Sequence, residues 1–132
     1  MNKVVKLFWI DDMETWAHSA QDNVRIIARK YGIDLKIITS RNGDNIFQQL
    51  NYDLDAVIMD YHMQPFNGDK YIQEIRAEEH LEQIPILFYS QDTSTNLAGL
   101  VSNLKNIVTV YRPNLEDKIV ELYFRQSVYD PK

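Results

Sequence analysis

The sequence has no cysteine in its 132 residues, so disulfides, thiolate metal sites and cysteine nucleophiles are excluded. Glycine is scarce, at 4 residues, and no glycine-rich phosphate loop follows the first apolar run, where Asp11-Asp12-Met13-Glu14 stands instead. No apolar stretch approaches the length of a membrane-spanning helix. The N-terminal segment from Met1 to Ile10 is basic and then apolar, like the start of a signal peptide. Asp11 and Asp12 interrupt it before a hydrophobic core forms, and no small-residue cleavage site follows. These absences predict a cytoplasmic protein with no membrane insertion. Positive charge is also short. A net charge of −5 offers no basic face for direct nucleic-acid contact.

What is present is ordinary globular material, with 45% hydrophobic and 25% charged residues. The length predicts one domain able to bury a core without staples. Apolar and β-branched runs predict strands at Val4–Ile10, Leu35–Thr39, Ala56–Met59, Pro85–Tyr89 and Ile107–Tyr111. Between them, helical spacing predicts helices over Thr15–Tyr31, around Ile46, Phe47 and Leu50, over Asn67–His80, over Thr93–Leu104 and over Asn114–Tyr129. Gly32 reads as a helix stop and Asn67 as a helix cap. The Thr93–Leu104 helix has poor intrinsic propensity and depends on packing.

Strand and helix alternate five times, which predicts an α/β fold: a parallel sheet with helices on both faces. Two topologies fit five strands, the flavodoxin-like order 2-1-3-4-5 and a truncated dinucleotide-binding fold. The missing glycine loop favours the first.

The chemistry gathers at the strand ends. The run Ala56-Val57-Ile58-Met59 leads straight into Asp60, followed by a loop with Pro65 and Gly68. In an open α/β sheet that edge is where ligands bind. In the order 2-1-3-4-5, strands 1 and 3 are neighbours, so Asp11, Asp12 and Asp60 converge. Carboxylates that close raise a pKa or bind a cation, and a hard ion such as Mg²⁺ suits oxygen ligands. Their repulsion predicts that Asp12→Asn or Asp60→Asn stabilises the metal-free fold by on the order of 1 kcal/mol or less, if the edge is solvated. Ser90 ends strand 4 and Arg112 follows strand 5, just before Pro113. Singly, Ser90 reads as a turn residue, Arg112 as a surface cation and Asp12 as a helix cap. At successive strand ends they read together as a phosphoryl-transfer site with Asp60 as nucleophile.

On these residues, Asp11-Asp12, Asp60, Met63, Gly68, Ser90 and Arg112-Pro113, the sequence resembles a response regulator receiver domain of two-component signalling, over residues 1–132 as a single receiver domain. The resemblance implies that Asp60 accepts a phosphoryl group from a histidine kinase or phosphotransfer protein. It implies Mg²⁺, with Mn²⁺ as a substitute, held by Asp11, Asp12, Asp60 and the backbone carbonyl of His62. Ser90 and Arg112 would contact the phosphoryl group, and output would be docking to a downstream protein. On this reading the chain is a phosphoacceptor and not an enzyme.

Three positions depart from the family pattern. Arg112 stands where the family has lysine, and the two are not interchangeable. Gln64 separates Met63 from Pro65, and Thr109 replaces the aromatic expected three positions before the basic residue. They leave open a second reading, a receiver-like binding module that works without phosphorylation. A phosphatase of the haloacid dehalogenase kind needs an aspartate two residues after its nucleophile. Asp60 is followed by Tyr61 and His62, and Asp11 is followed two residues on by Met13. Asp92 reads as a helix cap or a tuner of phosphate lifetime, and His18 and His80 as surface residues.

Overall fold

The strands form where β-branched and aromatic residues run together, and five of them pair side by side in the computed structural model, which describes residues 3–43, 46–50, 53–63 and 65–125. The strands are β1 (Lys3–Ile10), β2 (Ile33–Ser40), β3 (Ala56–Asp60), β4 (Ile86–Ser90) and β5 (Ile107–Tyr111), all parallel, in the order β2-β1-β3-β4-β5. This is the flavodoxin-like order, and the dinucleotide alternative is set aside.

The helices are α1 (Glu14–Lys30), α2 (Ile46–Gln49), α3 (Gly68–Ala77), α4 (Leu97–Leu100) and α5 (Leu115–Ile119). Side-chain alternation along the strands divides the core in two. Val5, Leu7, Trp9, Ala56, Ile58, Leu87 and Tyr89 pack under α1 and α5. Phe8, Ile10, Val57, Met59, Ile86 and Phe88 pack under α2, α3 and α4. β3 and β4 are buried along their whole length, as central strands of a covered parallel sheet must be. The edge strand β2 alternates, with Ile33 buried and Asp34, Lys36 and Ile38 exposed.

Several boundaries differ from the sequence expectation. Asp60 and Ser90 are inside β3 and β4 rather than beyond them, while Pro85 lies just before β4, its carbonyl taking the Val57 N–H at 2.9 Å. On α1 the small residues Ala17, Ala20, Val24 and Ala28 form the buried stripe, with Trp16, Ile27 and Tyr31 at its rim. Gly32 does stop α1, at φ 68, where a residue with a Cβ is strained.

The helix expected over Thr93–Leu104 shrinks to the 4 residues of α4. Its Ser, Thr and Asn residues bond locally instead, as their short polar side chains favour. The Asn96 side chain accepts the Gly99 N–H at 3.1 Å and Asp92 accepts from Ser94. Asn67 holds the cap position of α3, yet its side chain makes no cap bond and donates to the Tyr61 hydroxyl at 3.2 Å.

After α5 the chain widens into a π-type turn over Val120–Arg125. The extra residue per turn rotates the buried face, so Val120 and Phe124 are fully packed while Leu122 and Tyr123 are only partly buried. The remainder of the expected last helix, to Tyr129, lies outside the described residues, as do Asp44 and Gln64. His18 and His80 are exposed, as expected. Among the described residues no helix is long and apolar enough to cross a membrane.

Candidate functional site: an acidic pocket at the carboxyl edge of the sheet

β1 delivers Asp11 to the edge with sheet geometry still intact, since its N–H donates to the Ser40 carbonyl at 3.0 Å. Asp11 is fully buried, and its Oδ1 accepts the Met13 N–H at 2.7 Å, turning the chain into α1. Met13, not Asp12, occupies the cap position of α1, and the Asp12 side chain is exposed.

β3 brings Asp60 beside Tyr89 of β4 in the sheet register. Asp60 is 1% exposed. Its Oδ1 accepts the His62 N–H at 3.4 Å, whereas its Oδ2 is buried without any partner. The turn after Asp60 is tight. Tyr61 N–H donates to the Tyr89 carbonyl at 2.8 Å, and the Gly68 N–H returns to the Tyr61 carbonyl at 2.7 Å. A Cβ on Gly68 would collide with the Asp60 carbonyl oxygen, so only glycine lets the start of α3 approach this closely.

Ser90, the last residue of β4, is fully buried, and its Oγ accepts the Asp92 N–H at 3.0 Å. That leaves the hydroxyl proton available to a further acceptor. Asp92 caps no helix. It closes its own loop, accepting the Ser94 N–H at 2.9 Å and the Ser94 and Thr95 hydroxyls at 2.6 and 3.2 Å. Those bonds hold its carboxyl below the usual range.

Arg112 is no surface cation, since its side chain is 11% exposed. The guanidinium stacks 4.1 Å over the Trp16 ring, donates to Gln91 Oε1 at 2.5 Å and sits 3.9 Å from Asp11 Oδ2, with Nε buried and unpartnered.

The structure thus brings Asp11, Asp12 and Asp60 together, each offering a carboxylate oxygen, all within 4.8 Å of one another. The expected solvated edge is corrected here: two of the three carboxylates are buried. Burial, then the neighbouring Asp11 charge, pushes the Asp60 carboxyl up to about 8, against the pull of Arg112. Burial likewise raises Asp11, opposed by its hydrogen bonds to Tyr89 and Met13 and by Arg112. A cluster of carboxylates, two of them buried and one with an unsatisfied oxygen, with no histidine nitrogen or cysteine sulfur beside it among the described residues, fits a hard divalent cation of the Mg²⁺ or Mn²⁺ class. The His62 side chain takes no part in this cluster. It is exposed, its ring edge-on to Tyr61 with centroids 4.8 Å apart.

Sequence reasoning missed three residues of this pocket, Tyr89, Trp16 and Gln91, and the bond made by a fourth, since Trp9 is placed near this edge by its position at the end of the first strand. Tyr89 reads as a core strand residue, yet its hydroxyl bonds Asp11 and receives the Trp9 indole N–H. Strand alternation was the available signal, because it puts both on one face of the sheet near its carboxyl end. Trp16 and Gln91, which hold Arg112, left no signal, since their contact joins segments distant in sequence.

Comparison with known proteins agrees with the topology. No family model matches the chain, and no curated protein matches it significantly. Solved structures do. The chemotaxis response regulator CheY4 of Vibrio cholerae superposes with TM-score 0.73 at 14% identity, over 93% of this chain and 98% of that one. A response regulator receiver domain from Rhodospirillum rubrum gives TM-score 0.71 at 17% identity, over 94% of each chain. The response regulator TrrA from Thermotoga maritima, solved in complex with Mg²⁺-BeF, gives TM-score 0.67 at 18% identity, over 89% of this chain and 98% of that one. The chain described here therefore has the five-stranded fold of response regulator receiver domains.

Proposed function

We propose that this protein, as a single receiver domain over residues 1–132, is a cytoplasmic phosphoacceptor of a phosphorelay: Asp60 takes a phosphoryl group from a histidine kinase or phosphotransfer protein, and the domain signals by docking to a downstream protein. The observation that carries this reading is Asp60 Oδ2, a buried carboxylate oxygen with no partner, clustered with Asp11 and Asp12 and within the field of Arg112. A nucleophile needs a free lone pair aimed into a site that excludes bulk water.

Each residue then has a task. Asp11, Asp12, Asp60 and the His62 carbonyl would hold Mg²⁺, or Mn²⁺ in its place. When bound, the ion neutralises charge on the carboxylates and on the phosphoryl oxygens. The Asp60 carboxylate attacks phosphorus in line. The new O–P bond forms as the N–P bond to the donor histidine breaks, and the departing imidazole keeps the electron pair and is protonated by solvent. Ser90 donates its free hydroxyl proton to a phosphoryl oxygen, and Arg112 supplies positive charge beside it. The Mg²⁺-BeF complex of the Thermotoga maritima relative supports the ion and the phosphoryl site by analogy.

A second reading has an observation of its own. Arg112 is already engaged by Trp16, Gln91 and Asp11, an arrangement that suits a binding module working without phosphorylation. Intact mass after treatment with acetyl phosphate or beryllofluoride and Mg²⁺ separates the two. The phosphoacceptor gives a single adduct that disappears in Asp60→Ala. No adduct in a protein that binds Mg²⁺ selects the module.

A further inference from the structure

A buried hydrogen-bond chain lies behind the acidic cluster, and the proposed phosphoryl chemistry does not use it. The Trp9 indole N–H donates to Tyr89 Oη at 3.0 Å, and the Tyr89 hydroxyl donates to Asp11 Oδ2. Trp9, Tyr89 and Asp11 are all 0% exposed. Two of the three belong to β1 or its end, and Tyr89 reaches them from β4 across the intervening strand β3.

The chain has only one direction. An indole nitrogen donates and never accepts, so the tyrosine oxygen must be its acceptor. The single phenolic proton is then left for Asp11, whose ionised carboxylate can only accept. The other Asp11 oxygen, Oδ1, is held from a second side by the Met13 N–H at 2.7 Å. The carboxylate is pinned at both oxygens, and an oxygen of it lies within 4.8 Å of oxygens from Asp12 and Asp60. No apolar residue at position 89 could do this.

We propose that Tyr89, backed by Trp9, is a positioning residue for divalent-cation binding: its hydroxyl fixes the orientation of the Asp11 carboxylate toward the site shared with Asp12 and Asp60. The inference rests on the cation part of the function proposed above. Groups that orient a metal ligand from behind commonly govern affinity, because a ligand free to rotate must be ordered at the moment of binding. Trp9 acts through Tyr89, since its N–H leaves the hydroxyl only one direction in which to point.

The test is calorimetric titration with Mg²⁺, and with Mn²⁺, of the full chain as wild type, Tyr89→Phe, Trp9→Phe and the double variant. The expected result is a loss of affinity of about 10–100-fold in Tyr89→Phe. A smaller loss is expected in Trp9→Phe, and in the double variant no more than in Tyr89→Phe alone, because the two act in series. A role confined to packing would lower the melting temperature and leave affinity unmoved. The second readout needs no variant at 89: the Trp9 indole N–H resonance of the wild type should shift on Mg²⁺ saturation. Equal Mg²⁺ affinity in wild type and Tyr89→Phe, or an indole resonance that ignores saturating Mg²⁺, overturns the inference and leaves the proposed function standing. A wild type that binds neither ion overturns both.

Discussion

The Arg112 guanidinium stacks over the Trp16 ring at 4.1 Å, and this contact ties the end of β5 to the first turn of α1 beside the acidic pocket. A planar guanidinium can stack on indole and still donate edgewise to Gln91, at 2.5 Å. Lysine has no second face to offer. A double-mutant cycle with Trp16→Ala and Arg112→Ala should give a coupling of about 1–2 kcal/mol by chemical denaturation, the range for a largely desolvated cation–π pair. Additive single effects would show the stack to be energetically idle.

The second prediction concerns pH. Asp60 has a folded-state pKa of about 8, above the ordinary value of 3.8 expected on unfolding. Its contribution to stability is therefore fully present below about pH 4 and is lost as pH rises through about 8. In chelator, wild type should lose stability relative to Asp60→Asn over this window. The variant should lead by a few kcal/mol above pH 8 and by little near pH 4, since each tenfold change in proton affinity is worth about 1.4 kcal/mol. This exceeds the gain expected of a solvated edge because Asp60 is buried. Saturating Mg²⁺ should reverse the order by engaging the charged form. Parallel stability curves across pH 4–9 in chelator would contradict the buried, uncompensated carboxylate.

Gly68→Ala should disturb the site without touching its chemistry. The new methyl group would meet the Asp60 carbonyl oxygen and lie 3.0 Å from Met59 Cγ. Backbone on one side and a fully buried side chain on the other leave little room to yield. Thermal or chemical melts should show a loss of about 1–3 kcal/mol. Weaker Mg²⁺ binding should accompany it as Asp60 is displaced. A Gly68→Ala protein with wild-type stability would mean that the α3 start can slide away from the strand.

Arg76 organises the opposite end of the molecule. Its guanidinium donates to four backbone carbonyls, Lys105 at 2.9 Å, Leu81 at 3.0 Å, Ile84 at 2.6 Å and Asn106 at 3.2 Å. It thereby joins α3 to the segments that lead into β4 and β5. Lysine cannot reproduce that fan of donors. Arg76→Lys should cost about 2–4 kcal/mol in denaturant, since hydrogen bonds from a charged group are worth about 1.5–3 kcal/mol each and some of these carbonyls regain water. On the function proposed above, Asp60 in the surviving folded protein should take the phosphoryl group of acetyl phosphate as wild type does. A loss under about 1 kcal/mol would show that water replaces the fan at no cost.

Much of the fold was legible in the chain itself. Apolar runs and helical spacing are local, period-based signals, and β1, β3, β5 and α1 come out within a few residues of where those signals place them. Asp60 and Arg112 were visible as polar residues ending apolar runs. The Thr93–Leu104 helix, already poor in intrinsic propensity, shortens because local hydrogen bonds of Asp92 and Asn96 take the place of helix at its start. The last helix gives way after Ile119 to a π-type turn, which the α-helical period on which the reading depends does not describe.

The sequence by itself determined the alternation of strands and helices, and with it the edge where Asp11, Asp12, Asp60, Ser90 and Arg112 could gather. Hydrophobic period and strand-end position are properties of neighbours in the chain. Only the tertiary structure decided what surrounds each of these groups. It buried Asp11 and Asp60 while leaving Asp12 exposed, laid Arg112 on Trp16, and set the Tyr89 hydroxyl against Asp11. The last two relations join residues far apart in the chain. They depend on sheet register and on which helix covers which face, and no local pattern encodes either.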